Sequence, residues 1–255
     1  MLKNTRLSSF LIYFIPVTLI TGPFIPDLLV SLISLIFLYE VYIDKNTQYF
    51  KNKFFILFSL FYSISLISSL FSENIFVSLQ SSLFYFRFAL FALCIYKNLN
   101  ENFLNLKILF YFLLFDLILL NLDGYFQFFL GHNLIGIESV YGRDRLNSFF
   151  GDEYILGSYL TRIIFLFVGI AYKVNFKNVR SEFFLIPLTI STYILVFLSG
   201  ERTAFFLFTI GIIIFFILSN YKLLNKVIAF FVICISLIVV LNFNQSSNER
   251  YLNQL

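Results

Sequence analysis

The chain has 255 residues, 60% of them apolar and only 13% charged, with a formal net charge of +4. Apolar runs recur from Leu7 to Leu241 without a long polar interval. This excludes a soluble domain, in which each helix needs a polar face, because these runs are apolar all round. The expected class is an all-α, polytopic integral membrane protein.

A helix crosses roughly 30 Å of hydrocarbon with about 20 residues. Nine segments qualify in chain order, at about residues 7–22, 26–43, 54–71, 75–96, 103–122, 154–172, 183–199, 203–219 and 223–242. Lys3 and Arg6 ahead of the first run look like the start of a signal peptide. No small-x-small cleavage site follows, however, and TGPFIP leads straight into the second run, so the first segment reads as a retained helix. Pro23 and Pro26 suit a hairpin between these two. Cys94 and Cys234 fall inside apolar runs and suggest neither a disulfide framework nor a metal site. The 38 phenylalanines read as lipid-facing and core filler rather than as a binding surface.

Basic residues in short loops stay on the cytoplasmic side. With a cytoplasmic N-terminus, Lys3, Lys45, Lys51, Lys53, Lys97, Lys107, Lys173, Lys177, Lys222 and Lys226 all lie inside, together with Arg6 and Arg180. The outer side then receives SEN at 72–74, GER at 200–202, a long segment from Asp123 to Glu153 between the fifth and sixth helices, and the tail after Leu241. Its basic residues are arginines only: Arg143, Arg145, Arg202 and Arg250. Residues 1–242 thus form one transmembrane helical domain with an outer loop at about 123–153, and 243–255 open a further outer loop.

In SGERTAFF, Ser199 and Gly200 end one helix and Thr203 begins the next, which leaves Glu201 and Arg202 at the outer surface. A helix N-terminus already favours an anion, and a guanidinium adds forked donors suited to phosphate oxygens. The other reading of Arg202 is an interfacial side chain paired with Glu201 or snorkelling to head groups. Arg87 and Arg162 stand about 18 Å and about 12 Å from the outer ends of their helices at 1.5 Å per residue. Intramembrane charges face a partner or a wet cavity. Asp116, about 8 Å below the outer end of the fifth helix, is the expected partner, and one aspartate cannot neutralise two arginines. His132 is the single histidine, in a loop with no Ser or Cys motif beside it. HExxH, paired CxxC and P-loop patterns are absent from the sequence, so metal, nucleotide and nucleic-acid chemistry find no support.

Three stretches, YFQFFLGHNLIG, RLNSFFGDEYILGSYLTR and LSGERTAFF, occur in that order and spacing over about residues 120–210. Together they resemble the O-antigen ligase and O-antigen polymerase superfamily, whose members often carry a QxxxG segment, an RLxxxFxDExxxGSYL block and an SGxRT/GA hairpin. The resemblance implies a glycosyltransferase of lipopolysaccharide or polysaccharide biosynthesis in the bacterial inner membrane. Its partners would be membrane lipid and a glycan carried on undecaprenyl diphosphate, and it would use no cofactor. By the same resemblance Arg202 and Arg145 would contact the diphosphate, Arg143 and Arg162 would follow, and Glu153 would orient them or the acceptor; Arg87 and Asp116 are supporting candidates through their intramembrane position. The catalytic group stays unassigned. Family members usually continue into a large outer loop with a functional His or other base and then further helices. A chain ending at Leu255, shortly after QSSNERYLNQ, is therefore expected to be a fragment unable to turn over alone. The alternatives are a multi-pass transporter of an anion or glycan, for which buried arginines are equally suited, and a non-catalytic membrane partner in glycan assembly. The internal symmetry common in transporters is not visible in the sequence.

Overall fold

The structure, a computed structural model, describes residues 2–138, 145–174 and 179–218. Among the described residues it is all-helical: α1 (Leu2–Thr18), α2 (Phe24–Asp44), α3 (Lys53–Leu70), α4 (Ile75–Phe84), α5 (Phe86–Asn100), α6 (Leu106–Leu130), α7 (Leu156–Lys173), α8 (Val179–Leu198) and α9 (Arg202–Leu218). Among the described residues, four helical stretches are long and apolar enough to cross a membrane: α2, α3, the stretch Ile75–Asn100 and α7. Shorter apolar stretches are Leu7–Thr21, Leu185–Leu198 and Arg202–Ile217. The ninth expected segment, 223–242, lies outside the described residues, as does the tail from 243. The chain divides into two compact units, Met1–Leu109 and Phe110–Leu255.

In the first unit α2 and α5 run side by side in the same direction. Arg87 donates to Asp27 Oδ2 at one end (2.7 Å) and Lys97 donates to Glu40 Oε2 at the other (2.7 Å). Between them Ser34 Oγ donates to the Arg87 carbonyl (2.9 Å). Helix α1 runs against both and is tied by Ser9 Oγ donating to Asn98 Oδ1 (2.6 Å). Ile33, Phe37, Leu93 and Cys94 fill the seam. The fourth expected segment breaks at Tyr85 into α4 and α5. There the Tyr85 N–H reaches the Ser82 carbonyl and the Phe88 N–H reaches the Tyr85 carbonyl, so the ladder tightens to three-residue steps. The preceding turn gives the physical reason: Ser81 and Ser82 donate back to the Val77 and Ser78 carbonyls, a habit that bends helices.

The second unit is built on α6, which runs eight residues past the expected end at residue 122. The stretch Asp123–Leu130, expected to open a loop, is helical because its polar side chains have buried partners. The helix stops at Gly131, whose φ of 90° suits glycine, and the Gly131 N–H donates to the Gln127 carbonyl (2.8 Å). Asn121 Nδ2 donates to Thr192 Oγ1 (3.0 Å) and Tyr125 donates to the Ser191 carbonyl (2.7 Å), which joins α6 to α8. Leu195 packs so closely on Gly124 that a Cβ there would stand 2.8 Å from it. Helix α7 packs on α9, where Gly211 makes room for the Phe165 ring. Leu156, Leu160, Ile164 and Phe167 form the buried face of α7, and Arg162, Leu166 and Tyr172 its exposed face.

Candidate functional site

The three stretches singled out by sequence meet at one end of the second unit. Gln127 on α6 is 1% exposed and reads the backbone of residues 147–148. Its Oε1 accepts the N–H groups of Asn147 (3.1 Å) and Ser148 (2.8 Å), and its Nε2 donates to Asn147 Oδ1 (2.5 Å). One turn earlier, buried Asp123 accepts from Ser148 Oγ through one oxygen and from the Leu134 N–H (2.7 Å) through the other. Asn133 completes the knot: its Nδ2 donates to the Ser148 carbonyl (2.9 Å), while its Oδ1 accepts from Ile135 (3.1 Å) and Ile137 (2.7 Å).

Ser148 shows why so many partners are needed. Its φ is +51°, a left-handed conformation that costs a non-glycine residue about 1–3 kcal/mol. The N–H, carbonyl and hydroxyl of Ser148 are all engaged, and together they hold it there. The segment from 145 onward is therefore fastened to α6 by its own backbone, ahead of any ligand.

The second junction links α7 to the turn between α8 and α9. The turn is made by Gly200 at φ +76°, and the Glu201 carbonyl accepts the Phe205 N–H (3.0 Å), so Glu201 starts α9. Its side chain reaches the beginning of α7 instead of staying with its own helix. Oε1 accepts the Gly157 N–H (2.5 Å), and Oε2 accepts the Ser158 N–H (3.0 Å) and hydroxyl (2.5 Å). First-turn N–H groups have no partner within their own helix, and an anion there is favoured by the helix dipole. Gly157 is required by this approach, since a Cβ would stand 2.5 Å from Ser199 Oγ and 3.0 Å from Glu201 Oε1. A neighbouring Glu-Arg pair in the sequence suggests a local ion pair. The carboxylate instead caps a helix 43 and 44 residues earlier in the chain.

Around these junctions Arg145 is exposed, with its guanidinium 5.7 Å from the centre of the Tyr154 ring. Arg202 is the exposed first residue of α9. Tyr154 lies three residues before Gly157, and Arg202 follows Glu201, so both arginines are carried by pieces that meet at the start of α7. Glu153 is exposed, and its N–H donates to the Phe150 carbonyl (3.1 Å). Arg143 lies outside the described residues. Arg162, expected inside the protein, stands on the exposed face of α7, about 9 Å along the axis from Leu156 at 1.5 Å per residue.

The expected pairing of Asp116 with a buried arginine is replaced by other partners. Arg87 is paired with Asp27, which stands in the first turn of α2. Asp116, fully buried, accepts from the Tyr159 hydroxyl (2.8 Å). The spacing explains this: Asp116 falls on the same buried stripe of α6 as Leu113, Leu117 and Leu120, facing Tyr159 on α7. His132 turns Nδ1 to the Asn133 carbonyl (3.1 Å) and sets its ring edge-on to Phe126, an anchoring position. Among the described residues no group of three or more His, Cys, Asp or Glu side chains could hold a metal ion.

No protein-family model matches the chain, and no curated protein or solved structure does so either.

Proposed function

We propose that this chain is the membrane body of a glycan ligase or polymerase. It would draw its donor from an undecaprenyl diphosphate carrier at the outer face of a bacterial inner membrane. The observation that carries this reading is the junction at Glu201. It joins the GSY and SGERT segments, which the superfamily resemblance groups together; Arg202 follows Glu201 directly, and the Arg145 guanidinium lies 5.7 Å from the centre of the Tyr154 ring, three residues before Gly157. In the proposed reaction an acceptor hydroxyl attacks the anomeric carbon, the bond from that carbon to the diphosphate oxygen breaks, and the hydroxyl proton leaves to a base not yet assigned. The departing group is an anion of high charge, and guanidinium groups fixed in advance stabilise it most. Arg145 and Arg202 make that contact, Arg143 and Arg162 extend it, and Glu153 orients the arginines or the acceptor.

The nine-crossing path with a cytoplasmic N-terminus and an outer segment before α7 belongs to the same proposal. In that path α1 leads outward, α2 returns, α3 leads outward and the stretch Ile75–Asn100 returns, so α2 and α5 must run in one direction and α1 in the other. The Asp27–Arg87 and Glu40–Lys97 pairs, with Ser9 on Asn98, support this order.

In a chain carrying any further loop and helices its gene encodes, Arg202→Ala is expected to abolish glycan transfer in cells and to weaken binding of undecaprenyl diphosphate by the purified protein. Transfer at the wild-type rate would count against the assignment. A second reading, transport of an anion, draws on Arg87, whose Nε is buried without a hydrogen-bond partner. Flux of a labelled anion into proteoliposomes, with no transferase activity, would decide for it.

A further inference from the structure

Glu201 has two attachments that pull on different parts of the proposed site. Its backbone opens α9, so it sets the direction in which Arg202 leaves the helix. Its carboxylate holds two N–H groups and the hydroxyl at the start of α7, the helix entered through Tyr154, over whose ring Arg145 lies. The absence of a side chain at Gly157 lets the carboxylate approach this closely. We infer that Glu201 is a positioning residue: it acts through Arg202 and Arg145, holding the two guanidinium groups in one register for the carrier diphosphate. This inference rests on the function proposed above.

The physical argument is one of preorganisation. A diphosphate is gripped well when its donors are already placed, because ordering them on binding subtracts from affinity. A carboxylate held by three donors is stiff, and each charge-assisted hydrogen bond limits the swing of the α8–α9 turn. Glutamine at this position keeps one acceptor oxygen and turns an NH2 group toward N–H donors, so it should hold the turn less well. Alanine removes the tie altogether.

The test uses the full chain in lipid nanodiscs with undecaprenyl diphosphate as the probe, in four forms: wild type, Glu201→Ala, Arg202→Ala and the double variant. Glu201→Gln serves as a milder fifth form in case alanine impairs folding. Hydrogen exchange at the Gly157 and Ser158 amides reports the tie itself. Expected are faster exchange at both amides in Glu201→Ala and binding weakened about tenfold, the equivalent of one charge-assisted contact. Glu201→Gln should be intermediate in both readouts. In the Arg202→Ala background the Glu201 change should cost clearly less than in the wild type, since only Arg145 is left for it to position. Equal losses in both backgrounds, or unchanged binding in Glu201→Ala and Glu201→Gln, would overturn the positioning role while leaving the proposed function standing. Wild-type protein that fails to bind the probe would overturn both.

Discussion

Two glycines on one helix make the packing argument quantitative. A Cβ added at Gly157 would stand 2.5 Å from Ser199 Oγ, 3.0 Å from Glu201 Oε1 and 3.2 Å from Glu201 Cδ, whereas at Gly169 nothing lies within 4 Å. The crowding atoms are side-chain ends, but neither is idle. Ser199 is fully buried and donates to the Val196 carbonyl (2.8 Å), and Glu201 holds the start of α7. Relief by overpacking costs about 1–3 kcal/mol, and relief by withdrawing the carboxylate costs about 1.5–3 kcal/mol. Alanine returns at most about 1 kcal/mol through its better helix propensity. Gly157→Ala should therefore lose roughly 1–2 kcal/mol, a fall in Tm of several degrees at about 2–4 °C per kcal/mol for a chain of this size. Gly169→Ala should leave Tm unchanged or slightly raised. Circular dichroism melts of both variants in one detergent make the comparison, and Ser199→Ala added to Gly157→Ala should restore part of the loss. Equal melting of the two glycine variants would refute the close approach of the α8–α9 turn to α7.

Replacing Gln127 by Leu leaves the N–H groups of Asn147 and Ser148 buried without their acceptor, at about 1–3 kcal/mol each. Limited proteolysis should then cut the segment between α6 and α7 far faster, while an unchanged digestion pattern would argue against the network. Lys97, 3% exposed and bound to Glu40, should lose about 3–5 kcal/mol when changed alone to Met. The double change Lys97→Met with Glu40→Leu should cost much less, and denaturation of the three forms in one detergent checks the order.

The apolar runs revealed the helices because lipid demands length and hydrophobicity, and both can be counted. The break at Tyr85 could not be seen in this way. No glycine or proline marks it, and serines donate back to the preceding turn in the unbroken α2 and α3 as well. The stretch Asp123–Leu130 reads as loop by composition, since Asp123, Gly124 and Gln127 interrupt the hydrophobic pattern. Their spacing carries the better signal: Asp116, Leu120, Asp123 and Gln127 recur every three or four residues and share the buried face of α6. A polar residue on an apolar stripe marks a partner across a helix interface as readily as it marks a loop. The tie made by Glu201 leaves the least trace in the sequence. Its neighbour in sequence, Arg202, suggests a local pair, and nothing in the order of residues says that the carboxylate reaches Gly157 and Ser158.

The two carboxylate junctions, at buried Asp123 and part-buried Glu201, and the exposed arginines divide the charge of the second unit in a consistent way. Asp123 and Glu201 are spent inside the structure, one fastening the segment after α6 and the other capping α7. Arg145 and Arg202 are carried outward on the pieces those carboxylates secure. Anions that serve as internal ties give up most of their capacity to attract a free cation, while exposed guanidinium groups contribute positive charge to the long-range field. The acidic neighbours Asp152 and Glu153 are exposed at the same segment. They temper that field and favour a ligand that combines a concentrated negative charge with hydroxyl groups over a simple anion. A glycan diphosphate has both: phosphate oxygens for the arginines and sugar hydroxyls able to donate to the carboxylates. An inorganic anion would meet the attraction and the repulsion together, so competition between the glycan-linked carrier and free pyrophosphate should favour the carrier by more than its lipid tail explains.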